Sequence, residues 1–138
     1  FLDIGLMQNI CGLSSDILLS TDENFIKVNE GAIAEQFTAQ ELLAYRNCHH
    51  TPSLYYWARE ARNSSAEIDY VTPCNSSVLP IEVKAGKTGT LRSMHIYLEK
   101  YKVSCGVRIS QLYYSNTLPI IAIPFYAIKR IPYLMKQT

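Results

Sequence analysis

What the 138-residue chain lacks narrows its class before any motif is read. It has no excess of one charge: 13 Lys and Arg stand against 12 Asp and Glu, a net of +1, so any nucleic-acid surface must be local rather than global. It has no Cys-x-x-Cys pair. Cys11, Cys48, Cys74 and Cys105 are scattered, which excludes zinc-ribbon spacing and points to reduced thiols in a cytoplasmic protein. The opening residues do not read as a secretory leader. The longest apolar run, Leu118 to Ile128, is broken by Pro119 and Pro124 and falls far short of the roughly twenty residues of a membrane span. No repeat, linker or low-complexity tract interrupts the chain. It starts at Phe1 without methionine, so it is expected to be part of a longer protein. What is present, 48% apolar and 18% charged residues, describes a soluble globular domain large enough to bury its own core.

Taken in order, Asp3 can cap a short helix carrying Ile4, Leu6, Met7 and Ile10, with Gly12 as its stop. Ser14-Ser15-Asp16 offers a second cap before Ile17-Leu18-Leu19. The main helix is expected from Asn29, as its cap, to about Arg46, in a stretch rich in good helix formers. Gly31 near its start suggests a close neighbour. Ile33 and Phe37 share one face, while Glu35 falls with Ala39 and Leu42. Cys48-His49-His50 reads as a polar loop, because three consecutive residues rarely converge on one metal. His95, alone on its helix, reads as surface.

Leu54 to Arg59 reads as an aromatic-rich strand, expected at the centre of the sheet. On it Arg59 follows Trp57 on one face, placed to hold a carboxylate or a phosphate, or to form a structural ion pair with Glu60, Glu67 or Glu35. The turn Arg62-Asn63-Ser64-Ser65 leads to a second strand, Ala66 to Val71, in which Ile68 and Tyr70 oppose Glu67 and Asp69. Asn75-Ser76-Ser77 is again turn chemistry, so the strand Leu79 to Lys84 should pair antiparallel with its predecessor. Ile81 and Val83 then take one face, Glu82 and Lys84 the other.

Gly86-Lys87-Thr88 copies the tail of a phosphate-binding P-loop, but that motif needs a glycine where Ile81 stands, five residues before Gly86, which excludes a nucleotide site. Thr90 is the expected cap of the next helix, with Leu91, Met94, Leu98 and Tyr101 as its apolar stripe. Lys84, Lys87 and Arg92 cluster at that helix start, where phosphate contact and an ordinary solvated loop are both open. Gly106 to Ser110 and Ile120 to Ile123 read as strands, and Phe125 to about Leu134 as a closing helix begun by Pro124. The expected order is helix, three strands, helix, strand, strand, helix.

The pairing of the second and third strands brings Asp69 and Glu82 together with Lys84 beside them. Two carboxylates at one spot are costly to hold unless a cation compensates them. Asp69 followed by Glu82-Val83-Lys84 on the next strand resembles the PD-(D/E)XK signature of restriction-endonuclease-like nucleases, with Ile68 in place of the signature proline. With Tyr55-Tyr56-Trp57-x-Arg59, Glu67-Ile68-Asp69-Tyr70 and the opening Phe1-Leu2-Asp3-x-Gly5-Leu6, the set resembles a domain of unknown function found after an AAA-type ATPase module in many bacterial and archaeal proteins. It runs from residue 1 to about Tyr126. The resemblance implies an α/β fold with a restriction-endonuclease-like αβββαβ core, a mixed sheet flanked by helices, in residues 26–126 behind a helical extension at 1–25.

It further implies Mg²⁺ or Mn²⁺ at Asp69, Glu82 and the Val83 carbonyl. Glu35 matches a glutamate that often joins that site from the first core helix, although a helix-surface glutamate explains it equally. Lys84 would position the attacking water, and Arg59, Lys87 and Arg92 would contact DNA. The expected activity is hydrolysis of DNA phosphodiesters beside the ATPase module, with no membrane. The alternatives are a catalytically idle nucleic-acid-binding appendage of that ATPase and a protein-docking module.

Overall fold

The computed structural model describes residues 3–12, 23–49, 51, 53–61, 64–74 and 77–134. The second cap at residues 14–16, the apolar residues 17–19, His50 and the turn residues 62–63 and 75–76 lie outside these.

The chain builds a six-stranded mixed sheet with helices on both faces. Helix α1 (Ile4–Ile10) is capped as expected: the Asp3 carboxylate accepts from the Leu6 N–H at 2.8 Å, and Gly12, at φ +73°, follows the last turn. Helix α2 (Glu23–Ala44) begins six residues before the expected Asn29, so Asn29 is an interior residue and not a cap. Among the described residues none takes up the space that Gly31 leaves: a Cβ there would meet nothing within 4 Å.

Strands β1 (Tyr55–Ala61), β2 (Ser64–Cys74) and β3 (Ser77–Val83) form an antiparallel meander. Helix α3 (Arg92–Tyr101) then crosses over to β4 (Gly106–Ser110), which runs parallel to β3 and to β6 (Ile120–Pro124). A three-residue strand β5 (Ser115–Thr117) forms the far edge, giving the order β1-β2-β3-β4-β6-β5, so the aromatic-rich β1 is an edge strand and not the central one expected. Sequence patterning missed β5 because it is short, polar and wholly exposed.

The closing segment is a 3₁₀ helix (Phe125–Arg130) followed by a single α turn, α4 (Ile131–Leu134), rather than one helix. Pro132 has no N–H to continue a helical ladder, and Ile131 instead donates to the Ile128 carbonyl three residues back.

Two cores sandwich the sheet. Leu79, Ile81, Val107, Ile109, Ile121 and Ile123 face Ile128, Ile131 and the α2 residues Phe37 and Leu42. On the opposite face Ile68 packs with Met94, Tyr97 and Leu98 of α3, backed by Trp57 and Val71. The α3 stripe therefore includes Tyr97, which sequence spacing overlooked, while Tyr101 is 47% exposed and receives the Trp57 indole N–H at 2.9 Å. Leu91, not Thr90, holds the N-cap position, with no side-chain cap bond.

The two glycines carry opposite expectations. Gly31→Ala should stabilise the fold by about 0.5–1 kcal/mol, because an interior helical glycine costs that much and the new methyl meets nothing. Gly106→Ala should destabilise it by about 1–3 kcal/mol, because its Cβ would overlap the sulfur of fully buried Met94. Urea denaturation of both variants checks the pair.

Candidate functional site

The β1–β2 register carries the decisive irregularity. Tyr55 pairs with Val71 and Trp57 with Ile68, so the single residue Tyr56 stands opposite the two residues Asp69 and Tyr70. That is a β-bulge, which re-aims the side chains that follow it. Core membership shows the effect: Ile68 and Val71 both pack under α3, whereas Tyr70 packs on the α2 side. The expected alternation, with Ile68 and Tyr70 on one face, is therefore broken at Asp69. A single sequence does not reveal a bulge, because every residue in it is an ordinary strand former.

The β2–β3 ladder runs from Cys74–Ser77 to Tyr70–Ile81. One step on, where Asp69 and Glu82 would face each other, the Asp69 carboxylate takes the Val83 N–H at 2.6 Å. A strand residue's N–H and C=O leave by the same edge, so the Val83 carbonyl also faces β2. Glu82 is 5% exposed; its Oε1 lies 2.7 Å from Lys84 Nζ, and its Oε2 is buried without a partner. Lys84 follows the strand, anchored by its own N–H on the Ile109 carbonyl at 2.9 Å.

Glu35 reaches the same place from α2, where the Tyr70 hydroxyl donates to its backbone carbonyl at 3.0 Å. Glu35, Asp69, Tyr70, Glu67, Leu54, Tyr55 and Tyr56 line one open cleft of about 270 Å³. Burial, first, and then the negative charges of Asp69 and Glu67 push the Glu35 carboxyl above its ordinary range. Burial also raises Asp69, against the Val83 N–H and Lys84, and it raises Glu82, against the bond to Lys84. Tyr70 is pushed up to about 12 by burial and by the Glu35 and Asp69 charges, so it remains a donor at neutral pH.

Of the expected site residues, the fold thus gathers Asp69, Glu82, Val83, Lys84 and Glu35. The other three sit further out. Arg59 lies on β1 opposite Ala66, on the α3 side with Trp57. Lys87 and Arg92 are exposed on the loop after Lys84 and at the start of α3.

One residue was missed. Arg108, 8% exposed on β4 and paired with Glu82, donates to the Lys87 carbonyl at 2.9 Å and the Thr88 carbonyl at 3.1 Å. It pins the loop whose Gly89, at φ +128°, rests against the Lys84 stem, its Cβ position 3.1 Å from Lys84 Cδ. The signal for it was a lone arginine inside the apolar strand Gly106–Ser110. Among the described residues no three His, Cys, Asp or Glu side chains close into a metal-holding cluster. A larger cavity of about 350 Å³ lies elsewhere, where Arg46 donates to Thr72 and Lys129 sits over the Tyr45 ring.

A family model described as Domain of unknown function (DUF4143) matches residues 30–126, which span α2 to the 3₁₀ helix and contain every residue of this site. The chain belongs to the DUF4143 family. No curated protein and no solved structure matches it. The bulge, the fork between β2 and β3 and the Arg108-pinned loop are therefore features of a DUF4143 domain as this chain displays them. Among the described residues no helix is long and apolar enough to cross a membrane, and all four cysteines are free thiols.

Raised carboxyl pKa values have a defined sign for stability. The folded state holds these protons more tightly than the unfolded chain, so stability falls as pH rises from the ordinary carboxylate range through the raised values. Asp69→Asn, which still accepts from Val83, should raise the melting temperature at pH 7, with the gain shrinking as pH falls toward 4. Thermal melts across that range check it. Arg108→Met should free the Lys87 and Thr88 carbonyls, costing about 1–3 kcal/mol and speeding amide exchange across residues 85–90.

Proposed function

We propose that this domain has the αβββαβ core of the restriction-endonuclease-like fold and hydrolyses DNA phosphodiesters with Mg²⁺ or Mn²⁺. The observation that carries the reading is the fork at β2 and β3. There Asp69 sits on the Val83 N–H beside the Glu82–Lys84 pair, and one oxygen of Glu82 is buried with no partner. A buried carboxylate oxygen left without a partner is costly, and a hard cation that prefers oxygen would satisfy it. The neighbouring carboxylates, all raised by burial and most by one another, gain from the same positive charge.

Asp69, Glu82 and the Val83 carbonyl would hold the cation, with Glu35 joining through water because the three carboxylates do not close into a direct cluster. When bound, the cation supplies Lewis acidity and acidifies a coordinated water. Lys84 fixes the orientation of Glu82 and brings a positive charge to the phosphate as water adds to phosphorus and one ester P–O bond breaks. The Arg108-pinned loop holds the Lys84 stem in place. Arg59, Lys87 and Arg92 would meet flanking phosphates. The domain is proposed to act beside an AAA-type ATPase module, to which domains of this family are commonly joined.

One observation favours an idle site that only holds nucleic acid or docks the ATPase. Asp69 is already engaged by the Val83 N–H, and among the described residues no three-ligand cluster stands ready. Calorimetric titration with Mn²⁺ separates the two readings. Saturable binding and a raised melting temperature are expected in the parent and lost in Asp69→Ala. Lys84→Ala should keep metal binding yet slow plasmid cleavage about 100- to 1,000-fold. Absence of metal binding, even with DNA present, rejects hydrolysis and leaves the holding role.

A further inference from the structure

We propose that the cleft beside the carboxylates receives a nucleobase from an unpaired strand, stacked on Tyr56, so that single-stranded or splayed nucleic acid is the preferred substrate. This rests on the phosphodiester reading above and names the substrate class for the same site.

Tyr55 and Tyr56 are 57% and 70% exposed, and both line the cleft that contains Asp69 and Glu35. They lie at the start of the edge strand β1, next to the bulge. The contrast with the neighbouring aromatics is informative. Trp57, Tyr97 and Tyr101 pack against one another with centroids 4.7–6.1 Å apart, whereas among the described residues Tyr55 and Tyr56 enter no ring pair. Tyr55 pairs with Val71 and turns to the α3 side, so the ring open to a ligand beside the carboxylates is that of Tyr56, on the side of Tyr70.

Charge then selects the ligand. Glu35, Glu67 and Asp69 line the cleft, so a phosphate would be repelled from this space. A neutral planar group is not repelled. Bases stack on aromatic side chains with little sequence preference, and the acceptors Glu35 and Glu67 suit exocyclic amino groups at a base edge.

Stacking selects the state of the strand. A base inside a duplex has both faces covered by its neighbours, so a base that reaches the Tyr56 ring must come from a single strand or be turned out of a duplex. The phosphate of that nucleotide would then lie at the end of the cleft where Asp69 borders Glu82 and the cation is proposed.

The test measures anisotropy of a labelled oligodeoxycytidylate and of a hairpin duplex of equal length, on the full chain with Ca²⁺ in place of Mg²⁺. The single strand should bind at least about 10-fold more tightly. Tyr56→Ala should weaken it about 5- to 100-fold, Tyr56→Phe and Tyr55→Ala should keep it, and the duplex should change little. Melting curves confirm folding of each variant. Equal binding of both nucleic acids with no effect of the tyrosine variants overturns this inference and leaves the phosphodiester reading standing. Failure to bind either one overturns both. A lysine-rich peptide that binds where the oligonucleotide does not, and is lost in Tyr56→Ala, would also overturn it, making the cleft a cation cage.

Discussion

The site depends on one backbone substitution: where the β2–β3 ladder stops, a side-chain carboxylate replaces a backbone carbonyl as the partner of the Val83 N–H. A buried N–H must find an acceptor, so the strands could not part at this point without Asp69 or an equivalent. The bulge on the other side of β2 makes that geometry reachable, because it gives Asp69 and Tyr70 the space of a single residue on β1. The fork, the cleft and the contact with α2 all follow from these two departures from a regular sheet.

Around the fork the fold concentrates charge that it does not fully compensate. Lys84 is committed to one oxygen of Glu82. The second Glu82 oxygen has no partner, and Asp69, Glu82 and Glu35 are all held above their ordinary carboxylate range. Such an arrangement costs stability, and costs of this kind collect at functional sites more often than elsewhere. The surrounding structure is built to bear it. On β3 and β4 the residues Ile81, Val83, Val107 and Ile109 are almost wholly buried, and Tyr70 ties α2 to the cleft.

Arg108 adds a second layer to this economy. It is a buried cation in an otherwise apolar strand, yet it donates across to backbone carbonyls of the loop that follows Lys84. The loop in turn brings Gly89 against the lysine's methylenes, a contact that a side chain at a φ of +128° would disturb. The lysine's position is therefore set from three directions: the Ile109 carbonyl below, Glu82 beside it and the pinned loop above.

Much of this was legible in the chain itself. Period-two patterning located β1, β2, β3, β4 and β6. Asp3 and Gly12 marked both ends of α1, and the run Glu82-Val83-Lys84 after Asp69 named the charged centre. These are local signals, carried by residues a few positions apart. The sequence did not show the bulge that moves Tyr70 to the α2 face, the early start of α2, the exposed strand β5 or the split of the closing helix. Nor did it show that Arg108 serves the Lys84 loop, or that Tyr55 and Tyr56 border the carboxylates. Those facts depend on which strands become neighbours and where a ladder slips by one residue. Residues far apart in the chain decide both, and backbone hydrogen bonding, blind to side-chain identity, leaves no mark in the local pattern.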